Sequence, residues 1–145
     1  TVDVLRVPSI VSKRQIIIVW ELTNSLAQGA ATPTSVYNDI KAYCQARQAA
    51  GWGKIVVATC LPRKDAGLRA GFEADRITLN TNITTNAVSE GWCDYVADIG
   101  SDATIGQALS PDDATYFDSD KLHMKSAGHA IAKTYITTAV NTVSA

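Results

Sequence analysis

The chain has little cysteine, little proline and no excess of charge of either sign. Its 145 residues include 3 cysteines and 4 prolines, and 13 Lys and Arg residues against 14 Asp and Glu residues give a formal net charge of −1. A nucleic-acid-binding surface needs a basic run or stripe to neutralise phosphates, and the sequence has neither. We therefore expect no nucleic-acid partner.

Long hydrophobic runs are also missing. The longest apolar run, residues 16–20, is far shorter than the roughly 20 apolar residues that a helix needs to cross a bilayer. No positively charged segment followed by an apolar stretch opens the chain, as a secretory leader would. We therefore expect no transmembrane segment.

The three cysteines allow at most one disulfide within the chain. Cys44, Cys60 and Cys93 form no Cys-x-x-Cys pair and no Cys/His cluster with the spacing of metal ligands. Gly-x-Gly-x-x-Gly and Walker sequences are absent as well, which argues against a dinucleotide or phosphate-binding domain. We expect no metal and no cofactor.

The length is that of one domain. A chain of this size can bury a core without disulfides or metals, so we treat residues 1–145 as a single domain. The first residue is Thr rather than Met, and we expect a processed or trimmed chain. Asn82 begins an N-glycosylation sequon, which fits a secreted or extracellular protein, but such triplets are common by chance and the compartment stays open.

Hydrophobic patterns predict alternating strands and helices. Residues 16–20 and 54–60 are apolar runs rich in β-branched residues, typical of parallel strands buried on both faces, and we expect the first to be central in its sheet. Residues 94–99 predict a third, shorter strand. Helical spacing and end signals predict helices between Pro33 and Gly51, from Gly67 or Gly71 to Gly91, and after residue 123.

This alternation predicts an α/β fold, with a parallel sheet between two helical layers in a three-layer α/β/α arrangement. Ligands of such sheets bind outside the carboxyl ends of the strands. Asn24 follows the first strand, residues 60–63 follow the second, and a long loop from residue 100 to residue 123 follows the third. We expect these segments to meet around one crevice.

Asp120 lies three residues before His123, on the loop that leads into the last helix. A carboxylate that accepts the Nδ1 proton of an imidazole fixes its tautomer and leaves Nε2 free to act as a base. The alternative is that Asp120 only caps the following helix. The position on a loop held by a packed helix favours the catalytic interpretation.

Three blocks of the sequence resemble the SGNH (GDSL-type) esterases and lipases. Residues 16–26 resemble the family's strand and Gly-x-Asn-Asp loop, residues 50–63 are similar to its following strand, and residues 116–129 resemble its Asp-x-x-His block and closing helix. The order and spacing of the three blocks is more specific than either short motif. The resemblance implies the carboxyl-terminal portion of an SGNH domain, without its first strands.

The resemblance also implies a role for each matched residue. His123 would be the general base, Asp120 its orienting acid, and Asn24 a side-chain donor to the oxyanion of a tetrahedral intermediate. The implied substrate is a small-molecule, glycan or lipid ester. The alternative for Asn24 is a turn residue in left-handed geometry after the strand.

The sequence departs from the family pattern at three places. Leu22 stands where the family has Gly, and Ser25 replaces its Asp. The Gly-Asp-Ser block that holds the nucleophilic serine is not visible. Ser9 lacks the Gly and Asp of a nucleophile turn, and Cys60 is the other candidate nucleophile, although a buried structural thiol is the commoner case.

Two functions remain open on these grounds. The first is a serine ester hydrolase whose nucleophile lies on an absent amino-terminal segment, and the second is a non-catalytic binding or interaction domain built on the same scaffold. A sheet without its first strands exposes an edge and apolar faces. Under either function we expect self-association or pairing with the missing segment.

Overall fold

The computed structural model describes residues 15–20, 22–29 and 31–145, so that Ser9 lies outside the described residues. The fold is α/β, as predicted. In chain order its elements are β1 (Ile16–Val19), α1 (Thr23–Gln28), α2 (Pro33–Ala49), β2 (Lys54–Ala58), α3 (Phe72–Asn86), β3 (Tyr95–Ala97) and α4 (Ser126–Ser144). The long connection from β3 to α4 contains two short 3-10 turns, Ile99–Ser101 and Ser110–Asp112.

The three strands form a parallel sheet in the order β1-β2-β3. The central strand is β2, whose residues from Ile55 to Ala58 are fully buried. The prediction that the first strand is central and buried on both faces is wrong for the described residues, because β1 has a neighbour on one side only and Ile18 is 42% exposed. An apolar run identifies a strand but does not say how many strands flank it.

Alternate residues of β2 belong to two different hydrophobic clusters. Ile55 and Val57 belong to the first, together with side chains from α1, α2 and α3 such as Leu26, Ile40 and Leu79. Val56 and Ala58 belong to the second, together with Phe117, Ile99, Ile105 and the α4 residues Ala132 and Ala139. Successive side chains of a strand point to opposite faces, so β2 joins both clusters.

Helix α2 begins where its sequence signals predict. The Thr32 side chain accepts a hydrogen bond from the Ser35 backbone N–H (3.1 Å), and the Ser35 hydroxyl accepts one from the Thr32 backbone N–H (2.9 Å). This capping box, with Pro33 in the first turn, satisfies N–H groups that the helix itself leaves unpaired. The helix therefore starts at Pro33, close to the carboxyl ends of the strands.

The last helix is tied closely to the loop before it. A Cβ atom added at Gly128 would lie 2.7 Å from the backbone carbonyl oxygen of Tyr116. Lys125 N–H donates to that same carbonyl at 2.8 Å. Glycine thus allows the first turn of α4 to pack against the segment that leads to Asp120 and His123.

Candidate active site

The loop that carries Asp120 and His123 is held by its own backbone. Asp118 N–H donates to the carbonyl of His123 (2.8 Å), and Lys121 N–H donates to the carbonyl of Asp118 (2.9 Å). Lys121 has a φ of 57°, in the left-handed region that non-glycine residues rarely adopt. This tight turn brings the side chains of residues 120 and 123 to the same side.

The Asp120 carboxylate makes three contacts within this turn. Its Oδ1 accepts hydrogen bonds from the backbone N–H groups of Leu122 (2.9 Å) and His123 (3.0 Å), and its Oδ2 lies 2.6 Å from His123 Nδ1. The hydrogen bond to the His123 side chain, followed by those to the backbone, lowers the pKa of Asp120 from 3.8 to about 2. The carboxylate is therefore ionised at neutral pH and can only accept hydrogen bonds.

An ionised acceptor at Nδ1 fixes the tautomer of the imidazole. Nδ1 must carry the proton that Asp120 Oδ2 accepts, which leaves Nε2 as the basic nitrogen when His123 is neutral. Among the described residues, Nε2 has no hydrogen-bond partner, and the His123 side chain is 72% exposed. The pair therefore presents a free basic nitrogen to solvent.

His123 lies on the wall of a cavity of about 260 Å³ at the carboxyl ends of β1 and β2. Asn24 lies on the same wall, so the structure places two of the three predicted site residues around one cavity and the third, Asp120, in contact with His123. The other lining residues are Trp20, Leu22, Thr23, Cys60, Leu61, Pro62, Leu122, Met124 and His129. The crevice expected from strand order is present.

Asn24 occupies the first turn of α1, not a left-handed turn after the strand. Its Oδ1 accepts a hydrogen bond from Arg63 Nη1 at 3.2 Å. Leu22, at the position where the SGNH family has Gly, is 1% exposed and packs into the first hydrophobic cluster while also lining the cavity. The branched side chain is therefore accommodated by the core.

Arg63 is a neighbour of the site that the sequence patterns did not single out. Its side chain is 4% exposed and forms a two-point ion pair with Asp65, Nε to Oδ1 at 2.5 Å and Nη2 to Oδ2 at 2.7 Å. A charged residue just after a strand is usually solvated, so its position gave no signal of burial. Only the fold reveals that it contacts Asn24.

The segment after β2 is fixed by two polar side chains of α3. Asn80 accepts a hydrogen bond from Cys60 N–H through Oδ1 and donates one to the Cys60 carbonyl through Nδ2, both at 2.8 Å. Arg76, which is buried, donates from Nη1 to the same carbonyl (3.1 Å) and from Nη2 to the carbonyl of Gly106 (3.1 Å). Cys60, which lines the cavity, is thus fixed by hydrogen bonds at both its N–H and its carbonyl.

The described residues offer no activated nucleophile at this cavity. Cys60 is 1% exposed, and burial raises the pKa of its thiol to about 11, despite the opposing influence of Thr23, Arg76 and Arg63. The Thr23 hydroxyl oxygen is buried, and among the described residues no group, the neighbouring Cys60 thiol included, reaches hydrogen-bond geometry with it. Neither group is deprotonated or exposed enough to attack a substrate at neutral pH.

All three cysteines lie in the described part of the chain, where they are buried free thiols. Within that part, no cluster of three or more His, Cys, Asp or Glu residues has the arrangement of a metal site. None of the helices described is both long and apolar enough to span a membrane.

Comparison with known proteins gives no matching family model, and no curated protein matches the chain.

Proposed function

We propose that the chain is the proton-transferring part of an SGNH-type carboxylic ester hydrolase, with a nucleophilic serine supplied from outside the described residues. The observation that carries the proposal is the 2.6 Å contact between His123 Nδ1 and Asp120 Oδ2, on a cavity that Asn24 also lines. The proposal includes the finer architecture of that family, a three-layer α/β/α domain whose first strands lie upstream of β1.

The proposed reaction follows the triad mechanism. The serine hydroxyl attacks the ester carbonyl while His123 Nε2 takes its proton, and Asp120 stabilises the imidazolium that forms. The negative oxygen of the tetrahedral intermediate accepts a hydrogen bond from Asn24 Nδ2. His123 then gives the proton to the leaving alcohol. In the second half of the reaction His123 takes a proton from a water molecule as its oxygen attacks the acyl carbonyl, and returns that proton to the serine oxygen as the acid leaves.

Within the described part of the chain, β1 pairs on one side only, which supports a nucleophile that arrives on another segment. No serine lines the His123 cavity among the described residues. Beside the β1 edge lies a second cavity of about 610 Å³, with Ile18, Trp20, Val36, Ile40 and Tyr43 among its lining residues. In this proposal the upstream strands pair with β1 and cover that apolar surface; without them, a second copy of the chain would use the same edge.

The test is hydrolysis of p-nitrophenyl acetate by the chain alone and by the chain joined to its encoded upstream segment. We expect hydrolysis only with the segment, and loss of that hydrolysis in His123→Ala. His129→Ala is the matched control, because His129 lines the same cavity but makes no contact with a carboxylate among the described residues. Equal hydrolysis with and without the segment, abolished by His123→Ala, would place the nucleophile within the present chain.

A non-catalytic binding domain is the second candidate. It is favoured by Leu22, which occupies the family's Gly position on the cavity wall, and by the lack of an activated nucleophile there among the described residues. This function predicts that binding of a short-chain fatty acid at the cavity is the same in His123→Ala as in the unsubstituted protein. It also predicts no ester hydrolysis with the upstream segment attached.

A further inference from the structure

Arg63 donates a hydrogen bond to Asn24 in addition to its ion pair with Asp65. The two-point pair with Asp65 occupies Nε and Nη2, and Nη1 donates to Asn24 Oδ1, 39 positions away in sequence. Arg63 is 5% exposed whereas Asn24 is exposed, so the hydrogen bond between them is partly buried. The guanidinium is the buried partner, and a donor left unpaired on it is costly.

The chemistry of the two groups fixes which way the amide faces. A guanidinium has five N–H donors and no acceptor, so the atom of Asn24 that faces Arg63 must be the carbonyl oxygen. The other end of the amide, Nδ2 with its two hydrogens, is then turned away from Arg63. Among the described residues, Nδ2 has no hydrogen-bond partner, and Asn24 lines the cavity that holds His123.

We infer that Arg63 is a positioning residue that holds the Asn24 amide with its N–H donors available to the cavity. An oxyanion donor must point its hydrogen, not its oxygen, at the developing charge, and a free asparagine can rotate to present either. The catalytic consequence of this inference rests on the proposed function, whereas the orientation of the amide does not. Because Asp65 neutralises the charge of Arg63, the guanidinium acts on the reaction only by positioning Asn24 and does not itself contact the substrate.

The alternative explanation is that Arg63 only stabilises the segment after β2. Arg76 supplies the matched control, because it is also buried (4% exposed) and also paired with a carboxylate, that of Glu73. Arg76 donates to the carbonyls of Cys60, Gly100 and Gly106, and not to Asn24. A general loss of stability should follow from substitution of either arginine, but a loss of order at Asn24 only from Arg63.

The first experiment measures the NMR order parameter of the Asn24 side-chain amide in the full 145-residue chain. We expect Arg63→Met to lower it well below the value in the unsubstituted protein, and Arg76→Met to leave it unchanged. If Arg63→Met does not fold, Arg63→Lys replaces it, since one ammonium cannot bind Asp65 at two points and also reach Asn24. An unchanged order parameter without Arg63, or an equal loss in the two arginine variants, would overturn the inference.

The second experiment is a double-substitution cycle on kcat for p-nitrophenyl acetate, with the upstream segment attached. Removal of a single oxyanion donor typically costs on the order of 10² to 10³ in rate, so we expect Arg63→Met to lower kcat by ~10-fold or more at little change in KM. In the Asn24→Ala background the same substitution should cause no further loss, whereas independent losses would contradict the inference. If no variant hydrolyses the ester, the proposed function fails, while the NMR measurement still decides the orientation of Asn24.

Discussion

Replacement of Asp120 by asparagine tests the hydrogen bond on which the proposed mechanism depends. In Asp120→Asn, Oδ1 can still accept from the backbone N–H groups of Leu122 and His123, so the tight turn should persist. The group that then faces His123 Nδ1 is the amide Nδ2, which is a donor. Because a donor needs an acceptor opposite it, Nδ1 loses its proton and Nε2 gains it, which is the wrong tautomer for a base.

The expected loss of catalytic rate depends on the tautomer of His123 and on the solvent exposure of the His123 and Asp120 side chains. General-base catalysis contributes typically 10² to 10⁴ in rate, and loss of the correct tautomer in a buried triad costs about 10⁴. Here the side chains of His123 and Asp120 are 72% and 46% exposed, so water can solvate the imidazolium and replace part of the lost electrostatic stabilisation. We therefore predict a decrease in kcat on the order of 10² to 10³, with KM nearly unchanged.

The assay is steady-state hydrolysis of p-nitrophenyl acetate at neutral pH, with the upstream segment present. Asp118→Asn is the matched control, since it makes the same change of charge on the same loop, and within the described part of the chain Asp118 forms hydrogen bonds through its backbone only. If Asp120→Asn retains the kcat of the unsubstituted protein, Asp120 does not orient the base. If Asp118→Asn loses as much activity as Asp120→Asn, the loss reflects the charge of the loop rather than the contact with His123.

Three further predictions concern stability and association. Folding lowers the pKa of Asp120, so the ionised carboxylate stabilises the protein fully above pH 3.8, and this stabilisation is lost as the pH falls to about 2. Urea unfolding should therefore show that the difference in stability between the unsubstituted protein and Asp120→Asn shrinks over this pH range. Gly128→Ala should destabilise the protein by about 1–3 kcal/mol in the same assay, because the added Cβ would meet the carbonyl of Tyr116 at 2.7 Å; in an uncrowded helix, alanine would instead stabilise. Ile18→Lys on the β1 edge should shift the sedimentation coefficient of the 145-residue chain towards the monomer value, whereas Ile77→Lys, at a comparably exposed isoleucine of α3, should not.

Local signals in the sequence were sufficient for most of the elements. The apolar run at residues 54–60 predicted a buried strand, which is β2, and the signals at Pro33 and Gly51 bracketed α2. The contact between Asp120 and His123 was also predictable, since three residues in a tight turn are enough to join them. In each case the interaction that determines the structure joins residues only a few positions apart in the sequence.

Features that depend on distant neighbours were not predictable in this way. The edge position of β1 depends on which strands flank it, and the same apolar run would suit a central strand. The six residues of α1 are too few for a helical period to stand out. Strand order predicted that Asn24 and residues 60–63 would meet around one crevice, but the burial of Arg63 and its bond to Asn24 had no signal in the sequence.

The most direct test of the central claim is labelling with a fluorophosphonate, which reacts with a serine activated by a histidine base. The chain joined to its upstream segment should be labelled at one serine, located by mass spectrometry outside residues 15–145, and His123→Ala should abolish the labelling. Labelling that persists in His123→Ala, or a protein that is never labelled with the segment attached, would contradict the assignment of His123 as the base of a serine hydrolase.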